Sequence, residues 1–439
     1  MNTFDYVSSP VQQLRGDITV PGDKSISHRA IMFGAIAEGT TTINGFLDGE
    51  DCLATLNAFR LMGVAIEGPI AQRVIIQGVG KHGLQAPAEV IDCGNSGTSI
   101  RLLAGLLAAQ SFDSVLTGDA SLLKRPMERI SRPLTQMGAD IDTTEGKPPL
   151  SIKGGQSLTG ITYEMPEASA QVKSSLLLAG LYASGETTVI EPGLTRDHTE
   201  RMLTAFSYPI SKSENKIIIN SEATCIGTDV IVPGDISSAA FFIVAATLIP
   251  DSDILIRNVG INPTRTGIIQ ILQQMGAKIE LKNKRLYGEE LVADLHVQYA
   301  PLEGIDIPTA LVPLAIDEFP IIFIAAACAK GQTRLHGAKE LRNKESDRIS
   351  AMVDGLQRLG IEAQAFYDGV FINGGTLQGG EIDSYHDHRI AMAFAIAGAA
   401  AKNEIIIKNC ENVATSFPTF VNTANMIQLA IKEQRHAVK

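Results

Sequence analysis

The feature that most constrains this chain of 439 residues is a block of sequence that returns about six times at a spacing of roughly 70 residues. Each block opens on an apolar run rich in Ala and Gly, passes through a Gly and a β-branched stretch, and continues into a second run that carries the charges. A Gly-containing turn then leads into more strand-like sequence. The six apolar runs begin at Arg29, Ser99, Lys173, Ser238, Phe319 and Asp387. A period this long marks repeated supersecondary blocks rather than the turns of a solenoid. The first helix of each block is apolar nearly all round and must be buried on every side, whereas the charged second helix belongs at the surface.

Six such blocks predict an α/β (α+β) chain of two domains, three blocks in each, with helices inside and sheets outside. The segment VPGDKS, 20–25, is echoed by VPGDIS, 232–237, and two near-identical turns read as the paired strands of a hinge. Because the stretch before Pro21 is too short for a domain, it is expected to join the C-terminal half. The expected domains are therefore 1–21 with 235–439, and a middle domain of 22–234.

Composition removes several function classes. A net charge of -11 argues against a general nucleic-acid or membrane surface, so any anion site must be a local concentration of cations. The five cysteines are scattered without a CxxC pair, which reads as reduced thiols in a cytoplasmic protein. The start MNTFDYVSSP lacks the basic and apolar regions of an export signal, and the longest apolar runs fall short of a membrane span.

The informative charges sit where the apolar helices begin. In PGDKSISHRA, Lys24, Ser25 and Arg29 meet a helix N-terminus whose free N–H groups and dipole already favour an anion; the alternative is a capped helix with solvated basic residues. DCGNSGTSIRLL sets Gly97 and its neighbours in a Gly-containing turn before another apolar helix, and it is neither a Walker A loop nor GxGxxG. LLKRPMERI supplies Lys124 and Arg125 before Pro126, as anion contacts or as a solvated helix entry with Pro at its first turn. EASAQVKSS supplies Ser169, Gln171 and Lys173 at another helix mouth, suited to a neutral polyol or a phosphate edge, or simply to a cap. In KELRNKESDRIS a helical reading puts Lys344 and Arg348 on one face at i,i+4 with Glu345 beside them, either around an anion or in a solvated ion-pair lattice. Asp317, just before an all-apolar helix, is either an N-cap or a partly desolvated base with a raised pKa. His386, Asp387 and His388 suggest a metal only weakly, because no further ligand is spaced to complete a site. Arg389 adds one more cation at the sixth buried helix. Lys24, Arg29, Arg125, Lys344, Arg348 and Arg389, drawn from both halves, are expected to line a cleft between the domains that takes strongly anionic ligands.

Taken together, PGDKSISHRA, GNSGTSIRLLAG, LTGDASLLKRPM, ASAQVKSSLLLAGL, TRDHTERML, DEFPIIF, RNKESDRI and DHRIAMAFA resemble, in order and over essentially the whole chain, the 5-enolpyruvylshikimate-3-phosphate synthases. ASAQVKS, RDHTE and ATSFP look most like the glyphosate-tolerant bacterial class of that family. The resemblance implies a two-domain inside-out α/β barrel of six βαβαββ units, the enolpyruvyl transferase fold. It also implies transfer of the enolpyruvyl group of phosphoenolpyruvate to the 5-hydroxyl of shikimate 3-phosphate, without metal or organic cofactor. Carried over residue by residue, Lys24, Ser25, Arg29, Ser169, Ala170, Gln171, Arg196, Asp317 and Lys344 would hold shikimate 3-phosphate. Lys24, Gly97, Arg125, Arg348 and Arg389 would hold phosphoenolpyruvate. Asp317 would be the base, Glu345 the acid, and Lys24 the stabiliser of the leaving oxygen. The expected state is a cytoplasmic monomer with no nucleic-acid or membrane partner, and with glyphosate as a candidate inhibitor.

Two departures from the family pattern are visible: Thr415 stands where some relatives carry a Lys, and Gly97 stands where the tolerant class can carry Ala. The nearest rival, the sister transferase acting on a UDP-amino sugar, usually relies on a Cys in a mobile loop, and the corresponding stretch 118–125 has none. A non-catalytic protein that closes on a phosphorylated ligand would use the same cations but would need neither Asp317 nor Glu345.

Overall fold

The computed structural model describes residues 4–435; residues 1–3 and 436–439, the outer ends of the domain expected from 1–21 and 235–439, lie outside it. The chain divides into two units. Unit 1 comprises 1–21, 233–286 and 291–439, and unit 2 comprises 22–232 with 287–290. Relative to the boundaries read from sequence, the second seam falls two residues earlier. Pro233 and Gly234 go with unit 1, where Gly234 N–H donates to Asn258 O and Asp235 N–H to Pro21 O.

In unit 2 the helices are α1 (Lys24–Ile36), α2 (Glu50–Leu61), α3 (Gly97–Leu107), α4 (Glu128–Gln136), α5 (Ala170–Gly180) and α6 (His198–Ala205). In unit 1 they are α7 (Ile236–Leu248), α8 (Gly267–Gln274), α9 (Phe319–Cys328), α10 (Arg348–Arg358), α11 (His388–Ala400) and α12 (Phe420–Met426). The odd-numbered helices are the apolar runs, and each is buried over nearly its whole length. They lack an amphipathic stripe because they touch protein all round, which is what their sequence requires. In unit 2, α3 lies so close to α5 that a Cβ at Gly105 would come within 2.1 Å of Ser175 O. Only a residue without a side chain permits that approach.

Each block surrounds its buried helix with a small sheet of constant pattern. In the second block of unit 2, Ile91–Asp92 runs parallel to Ser114–Thr117, which pairs antiparallel with Lys147–Lys153, and that strand pairs antiparallel with Asp140–Thr144. The third block repeats this with Thr162–Glu164, Thr187–Ile190, Lys216–Ile219 and Ser211–Ser213. The first closes the ring: Asp229–Ile231, the last strand before the seam, runs parallel to Glu38–Asn44. In unit 1 the N-terminal segment supplies two of the strands. Arg15–Thr19 runs parallel to Asp253–Gly260, and Phe4–Ser9 pairs antiparallel with both Ile405–Lys408 and Ala430–Arg435. The units are thus βαβαββ repeats, with one departure. The leading strand of the block around α9 is reduced to the isolated bridges Glu303↔Lys330 and Asp306↔Arg334. Pro301 and Pro308 flank that stretch, and proline offers no N–H to a ladder.

Candidate active site

The sequence-predicted residues fall into two clusters, one in each unit, and both are built on the N-termini of the buried helices. In unit 2, Asp23 caps α1 by accepting from Ile26 N–H, Ser96 caps α3 by accepting from Ser99 N–H, and Ser169 caps α5 by accepting from Val172 N–H. These caps fix where each helix begins, and so where the following polar side chains stand. Lys24 is ion-paired to Asp51 of α2 at 2.7 Å. Arg29 is 4% exposed; its Nε donates to Thr199 Oγ1 (2.7 Å), Nη2 to Ser174 Oγ (2.7 Å) and Nη1 to Ser25 O (3.0 Å). Burial brings its pKa down to about 10, so it remains a cation at neutral pH. All three acceptors are neutral oxygens, and they leave two of its five N–H donors for a ligand. Arg196, half-buried, lies close enough to add its own positive field to Arg29.

Gly97 opens α3 between two guanidinium groups. An ideal Cβ there would lie 2.8 Å from Arg101 Nη1 and 2.8 Å from Arg125 Nη1. Arg101 donates to Gln171 Oε1 (2.7 Å), Gln171 donates to Thr98 Oγ1 (3.2 Å), and Arg125 donates to Asn95 Oδ1 (2.9 Å). Ser25, Gly97, Ala170 and Gln171 therefore lie on the same three helix N-termini as Lys24, Arg29 and Ser169. The sequence expectation for Arg125 needs one correction. Pro126 does not start a helix: Leu122–Lys124 is a single 3-10 turn and α4 begins at Glu128, so Arg125 is buried while Lys124 is exposed.

In unit 1 the cluster gathers around α9, α10 and α11. Lys344 Nζ donates to Asp317 Oδ1 at 3.0 Å, and Arg348 Nη1 lies 3.6 Å from the same oxygen. Arg348 also donates to Glu345 Oε2 (2.6 Å) and through Nε and Nη2 to Asp387 (2.8 and 3.2 Å). Burial opposes the Arg348 charge, but the carboxylates of Asp387, Glu345 and Asp317 outweigh it and raise its pKa above the ordinary value. Asp387 caps α11 through Arg389 N–H and takes a further hydrogen bond from Ser346. Arg389 Nη1 donates to Asp317 O (2.9 Å) and lies 3.5 Å from Glu318 Oε1.

This arrangement overturns one sequence expectation and removes one of the two alternatives for Asp317. Lys344 and Arg348 do not share a helical face. Asp347 caps α10 by accepting from Ser350 N–H, the helix starts only at Arg348, and Lys344 is extended. The two cations meet instead by converging on Asp317. Nor is Asp317 the cap of α9: Glu318 occupies that position and makes no capping bond, while Asp317 is ion-paired. The triplet at 386–388 serves protein contacts, His386 to Glu411 and Asp387 to Arg348. Among the described residues, no group of three or more His, Cys, Asp or Glu is placed to hold a metal, and no helix is long and apolar enough to cross a membrane. Thr415 is buried, with its hydroxyl donating to Asn412 O. Sequence reasoning missed Arg101, Asp51, Glu318 and Asp387 as neighbours of the predicted residues. Only Arg101 gave a signal, as a lone charge inside an apolar run.

The family model described as EPSP synthase (3-phosphoshikimate 1-carboxyvinyltransferase) matches residues 8–424. A protein named 3-phosphoshikimate 1-carboxyvinyltransferase from Legionella pneumophila (strain Lens) is 68% identical over 430 residues, 98% of this chain and 99% of that protein. One of the same name from Nitrosococcus oceani is 61% identical over 98% of this chain and 97% of its own length. A solved EPSP synthase from Acinetobacter baumannii superposes with a TM-score of 0.89 at 57% identity, covering 98% of this chain and all of that one. The enolpyruvyl transferase NikO from Streptomyces tendae shares the fold, with a TM-score of 0.80 at 16% identity over the full length of both chains.

Proposed function

This chain belongs to the EPSP synthase family, and from that premise we propose that it transfers the enolpyruvyl group of phosphoenolpyruvate to the 5-hydroxyl of shikimate 3-phosphate, releasing phosphate. The observation that best supports this reading is the state of Arg29. It is a buried cation held rigidly by neutral oxygens at a helix N-terminus, with donors to spare for a dianion. In the reaction, both clusters would act on one pair of substrates. Lys24, Ser25, Arg29, Ser169, Ala170, Gln171 and Arg196 would hold shikimate 3-phosphate, with Asp317 and Lys344 at its ring hydroxyls. Lys24, Gly97, Arg125, Arg348 and Arg389 would hold phosphoenolpyruvate. The substrates bring roughly six negative charges together, and this is the work the cations are placed to do.

The chemistry follows from the carboxylates. Asp317 takes the proton of the 5-hydroxyl as its oxygen bonds to C2 of phosphoenolpyruvate, while Glu345 protonates C3 to a methyl group. Glu345 is held at 2.6 Å from Arg348, beside the guanidinium assigned to phosphoenolpyruvate, which places its carboxyl for that transfer. The tetrahedral intermediate then loses phosphate as C2–O breaks. The methyl returns its proton to Glu345, the proton on Asp317 leaves with the phosphate, and Lys24 stabilises the departing oxygen.

We extend the reading to a cytoplasmic monomer with glyphosate as a candidate inhibitor, and to the glyphosate-tolerant class on the strength of ASAQVKS, RDHTE and ATSFP. The test is to make Asp317→Ala and Glu345→Gln separately. Each is expected still to bind both substrates and to lose turnover by about 10²-fold or more. Full turnover in both would remove the assigned mechanism and favour a binding protein.

A further inference from the structure

Beneath the unit 2 cluster lies a set of buried charges with no part in the chemistry above. Lys173 of α5 is fully buried, and its Nζ lies 2.9 Å from Glu191 Oε1 and 2.6 Å from Glu200 Oε1. Both carboxylates are buried as well. At these distances the ammonium is ion-paired with both carboxylates. Taking three ions out of water is expensive, and well-packed apolar residues of similar volume are often as stable, so stability alone does not account for the group.

Three segments that carry anion-site residues are fastened to it. Ser174, next to Lys173, accepts from Arg29 Nη2, and Thr199, next to Glu200, accepts from Arg29 Nε. Glu191 accepts from the hydroxyl of Thr195, the neighbour of Arg196. The charge count points the same way. Lys173 with two glutamates sums to one negative charge, and Arg29, one positive charge, has no carboxylate among its hydrogen-bond acceptors. Glu200 is the carboxylate whose field acts most strongly on Arg29. Taken as ionised these four groups sum to zero, while Asp23, Arg196 and Glu290 act on Arg29 more weakly than Glu200, and the donors of Arg29 stay available because none of its hydrogen-bond acceptors is a carboxylate.

We propose that Lys173, Glu191 and Glu200 are positioning residues that set both the place and the net charge of the Arg29 anion site, and thereby the affinity for the phosphorylated acceptor. The proposal rests on the reading of Arg29 as a ligand of shikimate 3-phosphate. It predicts effects of opposite sign, which a merely structural role would not produce. Lys173→Met leaves two negative charges behind Arg29 and raises KM for shikimate 3-phosphate about tenfold or more, the scale expected for one unit charge several ångströms away at an effective dielectric of about 20. Glu200→Gln leaves none and lowers that KM several-fold, although both variants are less stable than the parent. The double variant Lys173→Met with Glu200→Gln restores the original net charge and brings KM back to within about threefold.

The experiment is steady-state kinetics on the purified full chain, with each substrate varied in turn, for these three variants and for Arg29→Gln. KM for phosphoenolpyruvate and kcat are expected to change by less than about threefold in the charge variants. Shifts of the same sign in both single variants, or shifts shared equally by the two substrates, would overturn the proposal. Should Lys173→Met fail to fold, Glu200→Gln decides alone, since a fall in KM is the reverse of what structural damage gives. An unchanged KM for shikimate 3-phosphate in Arg29→Gln would instead overturn the underlying reading of Arg29.

Discussion

Gly97→Ala probes the unit 2 geometry with a single methyl group. The added Cβ would lie 2.8 Å from Nη1 of both Arg101 and Arg125, about 0.6 Å inside the range where ordinary contact begins. The backbone is not the obstacle: Gly97 is the first residue of α3, its φ is one that alanine adopts, and alanine is the better helix former. The guanidinium tips must move instead. Arg101 is tethered to Gln171 at 2.7 Å and Arg125 to Asn95 at 2.9 Å, so neither can retreat without loosening a hydrogen bond. A displacement of about half an ångström takes a charge-assisted hydrogen bond, worth about 1.5–3 kcal/mol, well off its optimum. A loss of about 1 kcal/mol at Arg125 converts to a rise in KM for phosphoenolpyruvate of about fivefold. Steady-state kinetics should show that rise, with a smaller rise in KM for shikimate 3-phosphate transmitted through the Arg101–Gln171 bond and kcat within about twofold. An unchanged KM for phosphoenolpyruvate, or an equal rise for both substrates, would refute the placement of Arg125.

Three further outcomes follow from the buried groups. His28 is fully buried, and burial first, then the charges of Lys24 and Arg29, hold its pKa well below the ordinary value. An unfolded His takes up a proton below about pH 6.5 and this one does not, so the stability its neutral ring contributes is complete above that pH and declines in acid, by about 1.4 kcal/mol at about pH 5.5. Urea midpoints of the parent and His28→Asn at about pH 7.5 and about pH 5.5 should differ in acid sensitivity by that amount; equal sensitivity would contradict it. Asp387→Asn leaves Arg348 with a weaker buried partner and should cost about 3 kcal/mol, read from urea unfolding; a loss below about 1 kcal/mol would count against the ion pair. Gly105→Ala must push α3 away from α5 and should destabilise by about 2–4 kcal/mol, seen as a lower thermal midpoint, whereas an unchanged midpoint would deny the close approach.

Much of the fold was legible because the apolar runs at Ala30–Ala35, Ile100–Leu107 and Phe319–Ala327 admit no solvated face. Burying six such helices leaves little freedom in where their sheets go. The cations were legible for a related reason: a charge just before a helix with no polar side has to stand at its end. Their partners were not. Asp387 lies 39 residues from Arg348 and Thr199 lies 170 from Arg29, and nothing in local spacing selects those pairs. The i,i+4 reading of Lys344 and Arg348 failed because Asp347 is a better cap than interior residue, so the helix begins one turn later than periodicity suggests. Arg101 was passed over because a single arginine in SIRLLAG reads as part of the helix rather than as a neighbour of Gly97. The weak leading strand before α9 was hidden because prolines weaken a ladder without erasing the block's apolar pattern.

Phosphate release from the purified chain tests the central claim most directly. With shikimate 3-phosphate and phosphoenolpyruvate both present, and EDTA added, one phosphate should appear for each enolpyruvyl ether formed, and omitting either substrate should abolish it. Phosphate freed from phosphoenolpyruvate alone, release that requires a UDP-amino sugar as acceptor, or no release with either acceptor would contradict the account.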